Sequence, residues 1–147
     1  MSILKNILFV CTGNTCRSPM AEYLLKEKAG DLLNIQSAGV TAWPGVPISD
    51  GTARVLSKRG INHQHASQSV TGDLVEWADI ILTMTQSHKE MLAIQHPNAS
   101  GKVFTLKGYL STGGDIADPI GGPQEEYEQV GVELDRCLTS LLVKWKE

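Results

Sequence analysis

Apolar positions along the chain follow two alternating rhythms. Asn6–Val10 (Asn-Ile-Leu-Phe-Val) is a short unbroken apolar run, the pattern of a strand covered on both faces of a parallel sheet. Ile35–Ser37, closed by Gly39, then Asp79–Met84 and Lys102–Leu106 read as three further strands. Between them the spacing turns helical. Ser18-Pro19 opens a helix over Met20 to Lys28, with Met20, Ala21, Leu24 and Leu25 on one face. Ala53, Val55, Leu56 and Lys58 predict a second helix that ends at Gly60. Thr71 caps a short helix through Trp77, and Thr85 caps another that Pro97 stops. The last helix comes after Pro123 and carries Tyr127, Val130, Leu134, Leu138, Leu141 and Trp145 at helical spacing. Strands alternating with helices predict an α/β fold, a parallel sheet with helices on both faces. No repeat, low-complexity tract or linker divides the chain, so residues 1–147 read as a single domain. Open sheets of this kind bind ligands at the carboxyl ends of their strands, and Cys11 sits at such an end.

The segment from Cys11 onward is Cys11-Thr12-Gly13-Asn14-Thr15-Cys16-Arg17-Ser18, a strand running through a turn into a helix. Gly13 and Asn14 are the residue types suited to positive φ, so the loop can curl with successive N–H groups pointing inward. Such a nest, backed by a helix N-terminus, is an anion site and favours the thiolate form of a cysteine, the form that attacks. Arg17 brings a planar fork that can take two oxygens of a phosphoryl group, and Ser18 can hydrogen-bond the sulfur. Two other readings stand beside this one. Cys11 can be an inert buried thiol. Alternatively Cys11 and Cys16 can join His63 and His65 around zinc, although Cys-x4-Cys beside an arginine makes a poor structural site. His88 and His96, like the other two histidines, read as structural or solvated, and Cys137 as core. The loop Ser111–Pro123 is rich in Gly and holds Asp115 and Asp118, placing both on the surface, where catalytic groups often sit.

Composition narrows the function. A chain of 147 residues can bury one core without staples, and 41% hydrophobic with 20% charged residues is ordinary for a soluble enzyme. A formal net charge of −3 argues against nucleic acid or an anionic membrane as partner. No stretch is long enough to span a bilayer, and Lys5 precedes a run too short for a secretory signal. Three cysteines make an odd count without framework spacing, which places the chain in a reducing cytoplasm.

The run Val10-Cys11-Thr12-Gly13-Asn14-Thr15-Cys16-Arg17-Ser18-Pro19 resembles the signature of low-molecular-weight protein tyrosine phosphatases. Ser37-Ala38-Gly39, Gly60-Ile61-Asn62 with His65, and Asp118-Pro119 extend the resemblance from about Asn6 to Trp145. It implies a four-stranded parallel sheet ordered 2-1-3-4, and a two-step hydrolysis through phosphocysteine with no metal and no cofactor. It also implies roles. Cys11 attacks, Arg17 and the backbone of Thr12, Gly13, Asn14, Thr15, Cys16 and Ser18 hold the phosphoryl group, and Asp118 protonates the leaving group. Ser37 helps Asn14 hold the loop, and His65 buttresses it. Asp115 lacks the Asp-Pro context. Trp43 is either core or a wall of the substrate pocket. Ile120 stands where the family often has Tyr or Phe, and Thr15 where tyrosine-directed relatives carry Ile or Leu and phosphoarginine-directed ones carry Thr. The expected enzyme is a monomeric, cysteine-dependent protein phosphatase acting on phosphorylated proteins, with phosphoarginine favoured over phosphotyrosine. An arsenate reductase shares the loop but needs a relay of further cysteines, which residues 79–92 lack. A phosphate-binding module without activity is the remaining class. Cys16, close to Cys11 in a curled loop, is expected to make the enzyme redox-sensitive by capturing an oxidised Cys11 as a disulfide.

Overall fold

Four apolar runs pair into one sheet in the computed structural model, which describes residues 4–146. The strands β1 (Asn6–Cys11), β2 (Asn34–Gly39), β3 (Ile80–Thr83) and β4 (Val103–Thr105) are all parallel, in the order β2-β1-β3-β4. The helices are α1 (Arg17–Ala29), α2 (Asp50–Lys58), α3 (Gly72–Trp77), α4 (Gln86–Gln95), α5 (Leu106–Tyr109) and α6 (Gln124–Lys146). The fold class and strand order are those expected.

Central β1 explains its unbroken apolar run, because its alternate residues feed two cores. Ile7, Phe9 and Cys11 enter one with Met20, Leu24 and Leu25 of α1 and Leu134, Leu138 and Leu141 of α6. Leu8 and Val10 enter the other with Val75 of α3 and Leu92 of α4. Every residue from Ile7 to Val10 is fully buried, and each such side chain contributes about 1.5–3 kcal/mol of transfer free energy. The C-terminus of β1 is therefore a rigid platform for the loop that leaves it.

Thr71 and Thr85 cap α3 and α4 as read from the sequence. Several strand and helix ends differ by one to three residues, and two of these shifts have a visible cause. Helix α1 starts at Arg17, so Pro19 is its third residue rather than its opening. First-turn N–H groups lack intrahelical partners, and a proline there removes no bond. Strand β4 stops at Thr105, whose hydroxyl accepts the Gly108 N–H and turns the chain into α5.

The end of β2 supports the loop after β1. Val40 N–H donates to the Cys11 carbonyl and Thr41 N–H to the Thr12 carbonyl, both at 3.0 Å. A Cβ on Gly39 would lie 2.4 Å from the Thr12 carbonyl oxygen, so only glycine fits beneath the loop. Among the described residues, no helix is long and apolar enough to cross a membrane.

Candidate active site

The chain leaves β1 at Cys11 and re-enters regular structure at Arg17, and the five residues between curl into the rim of a cup. Cys11, Thr12, Gly13, Thr15, Cys16 and Arg17 line it together with Asp118 and Ile120, enclosing about 260 Å³. Asn14 carries the positive φ expected of the loop, at 58°. Gly13 does not, and this corrects the expectation. A Cβ there would meet only the Thr15 hydroxyl at 3.9 Å, so Asn14 is the loop's positive-φ residue.

Asn14 is fully buried, and its side-chain amide and its carbonyl oxygen are all engaged. Its Nδ2 donates to Ser18 Oγ and Ser37 Oγ at 2.9 Å each, and its Oδ1 accepts Gln68 N–H at 3.0 Å. Its carbonyl oxygen lies 2.7 Å from His65 Nε2. The expected supports, Ser37 and His65, are thus in place. The sequence did not reveal two more, Gln68 and Glu22. Buried Glu22 accepts the Ser37 hydroxyl at 2.6 Å. That contact gives the network a direction. Ser37 donates to Glu22 and so accepts from Asn14, whose other N–H goes to Ser18. The Ser18 hydrogen is then left for Cys11 Sγ, 2.9 Å away.

Arg17 is buried, with Nη1 donating to the Ile116 carbonyl at 2.9 Å. Its Nη2 lies 3.5 Å from Asp118 Oδ2. Its Nε is buried with no partner among the described residues, an N–H left over for a ligand in the cup. Asp118 is half-exposed and braced by Ile120 N–H on Oδ1 at 3.1 Å. Asp115 instead accepts Gln86 N–H at 2.8 Å at the start of α4, which ties it to structure.

Trp43 is not core. It is 81% exposed and outside the lining of the cup, with its carbonyl tied to Ser67. Ile120 does line the cup, 65% exposed. Cys137 is core, and burial pushes its thiol pKa up. Among the described residues no three His, Cys, Asp or Glu side chains gather to hold a metal ion.

His88 is the residue that sequence reading undervalued. It is buried in the first turn of α4, with Nε2 2.8 Å from Thr12 Oγ1. Burial, with Arg17 adding, lowers its pKa to about 4, against weaker opposition from Asp115 and Asp118. The unfolded chain takes up a proton near 6.5 that the folded ring resists, so stability is full above pH 6.5 and falls towards pH 4. We expect a loss on the order of 2 kcal/mol from this group. Between pH 7 and about pH 4.5, the denaturant midpoint is expected to move less in His88→Gln than in the parent, and equal movement would remove His88 as the cause.

A parallel α/β sheet that presents a cysteine and an arginine around a cup at the end of its central strand defines the class: a cysteine-dependent phosphate-loop protein. The model of the family described as low molecular weight phosphotyrosine protein phosphatase matches residues 6–147, and the chain belongs to that family. It is 45% identical over 139 residues to a protein-arginine-phosphatase of Geobacillus stearothermophilus, covering 94% of each chain. It is 42% identical over 146 residues to the protein-arginine-phosphatase of Bacillus subtilis, covering 97% of each. A YwlE arginine phosphatase mutant with a phosphorylated active-site serine superimposes with a TM-score of 0.94 at 41% identity, covering 97% of this chain and 96% of the other.

Proposed function

We propose that this chain is a cytoplasmic, monomeric protein-arginine phosphatase that works through phosphocysteine without metal or cofactor. Its substrates are phosphorylated proteins, and neither nucleic acid nor membrane is a partner, in line with the net charge of −3. The Cys11 thiolate attacks phosphorus, and the P–N bond breaks as Asp118 gives its proton to the departing guanidino nitrogen. Arg17 and the inward N–H groups of residues 12–18 hold the equatorial oxygens. Water then attacks phosphocysteine, Asp118 takes its proton, and sulfur leaves as thiolate towards the Ser18 hydroxyl.

The observation that carries the substrate is Thr15. It is half-buried on the cup, and among the described residues its hydroxyl makes only a 3.8 Å contact, with Cys16 Sγ. A hydroxyl can accept from a guanidino N–H, which a phenyl ring does not offer. Naming of the two similar bacterial chains as protein-arginine-phosphatases supports the same substrate. Ile120 favours the second reading, phosphotyrosine, because it offers an apolar wall, although without an aromatic face. Thr15→Ile separates the two. It is expected to lower kcat/KM on phosphoarginine peptides by about 10- to 100-fold while sparing or raising turnover of phosphotyrosine peptides. Equal effects on both would return the chain to the tyrosine class.

Redox control arises from the same loop. Peroxide converts the Cys11 thiolate to sulfenic acid, and the Cys16 thiolate displaces hydroxide from that sulfur to form the disulfide. Both thiols are free and buried, and Cys16 Sγ now rests 3.3 Å from Ser49 Oγ, so the sulfur must swing from Ser49 towards Cys11. The parent is expected to recover after peroxide and a thiol reductant, whereas Cys16→Ala is lost irreversibly. Recovery of that variant as complete as the parent's would end the idea.

A further inference from the structure

Thr12 is the one loop side chain whose hydroxyl is held from behind by a buried ring. Cys11 lines the cup as a buried residue, whereas Thr12 is exposed on the lining. Its Oγ1 therefore meets the part of a substrate beyond the phosphoryl group. On the other side, Oγ1 lies 2.8 Å from His88 Nε2.

The position of the imidazole proton is set by the second ring nitrogen. His88 Nδ1 is buried with no partner among the described residues. A neutral imidazole has one N–H. On Nδ1 that hydrogen would be an orphaned buried donor, which is rarer and more costly than an unfilled lone pair. On Nε2 it makes the bond to Thr12. The proton thus belongs on Nε2, and Thr12 Oγ1 accepts it with one lone pair and keeps the other for the cup.

We propose that His88 is a positioning residue for substrate selection: its Nε2–H holds the Thr12 hydroxyl at the rim as an acceptor for a guanidino N–H of phosphoarginine. This rests on the phosphoarginine reading above and adds a second recognition hydroxyl to Thr15. A phosphate ester of a phenol has no N–H to give, so the His88–Thr12 pair discriminates by what the substrate donates. The ring also stays neutral at working pH, since burial holds its pKa at about 4. A cation at this place would repel the guanidinium.

The test compares kcat/KM on a phosphoarginine peptide and a phosphotyrosine peptide for the parent, Thr12→Val, His88→Ala, His88→Gln and the Thr12→Val/His88→Ala double variant. Thr12→Val and His88→Ala are each expected to lower the phosphoarginine-to-phosphotyrosine ratio about 5- to 10-fold, mainly through KM on phosphoarginine. The double variant should be no worse than the singles, since both remove one contact. Glutamine, which keeps an N–H donor at the same reach, should restore most of the ratio. A fall in parallel on both substrates, or losses that multiply in the double variant, would overturn the assignment. Thr12 is exposed, so Thr12→Val tests it even if His88→Ala folds poorly. A parent enzyme inactive on phosphoarginine would remove both readings. A parent that prefers phosphoarginine, with Thr12→Val leaving the preference intact, would remove only this one.

Discussion

Cys11→Ser is expected to abolish turnover, by on the order of 10⁴-fold or more, while phosphate and vanadate still bind. The two halves of that result have different physical origins. Oxyanion binding draws on loop N–H groups, the start of α1 and Arg17, none of which the substitution touches. Turnover needs a nucleophile that is also a good leaving group, and an alkoxide leaves phosphorus far less readily than a thiolate. A serine that accepts the phosphoryl group would therefore hold it, as the similar YwlE mutant with its phosphorylated active-site serine illustrates for that protein. Steady-state assays with vanadate titration of the folded variant separate the halves. Residual turnover within about a hundredfold of the parent would take the nucleophile's role away from Cys11. Loss of vanadate affinity alongside turnover would mean that the sulfur itself shapes the nest.

Asp118→Ala is expected to slow hydrolysis by about 10²–10⁴-fold for a poor leaving group and far less for an activated aryl phosphate. The asymmetry is the diagnostic. A nitrophenolate departs without help, whereas a guanidine must be protonated as the P–N bond breaks. Asp118 is the cup's own carboxylate, since Asp115 is engaged at the start of α4. Its 3.5 Å ion pair with Arg17 also means that the substitution removes a competing anion from the guanidinium, so oxyanion affinity should hold or rise. Equal losses on the two kinds of substrate would argue that Asp118 positions Arg17 rather than moving a proton.

The sequence was most legible where function is local. Cys11, Arg17 and Ser18 lie within eight residues, so strand, turn and helix start place them whatever the rest of the chain does. Long-range partners were visible only where a family resemblance pointed to them, as for Ser37 and His65. Glu22, Gln68 and His88 carry no signal of their own. A glutamate inside a helix, a glutamine in a loop and a histidine in a first helical turn are ordinary surface residues until folding buries the first and third and half-buries the second. The core reading of Trp43 failed in the opposite sense, because large aromatics are usually core and this one is left in water. Asp115 and Asp118 looked alike apart from the proline after the second. Only the packing of the 111–123 loop against α4 and Arg17 separates a capping aspartate from one that faces the cup.

The anchoring of Asn14 has a consequence for the enzyme at rest. A binding loop tied down by Ser18, Ser37, His65 and Gln68 is already in its working shape, and little conformational entropy is left to lose when a tetrahedral anion arrives. Affinity for the phosphoryl group is then close to its intrinsic value, and the group released in each cycle is recognised by the same donors that held it in the substrate. Inorganic phosphate becomes a competitor at every turnover. A cell's free phosphate level would set how many copies of the enzyme stand empty, coupling the rate of dephosphorylation to phosphate supply without any second binding site.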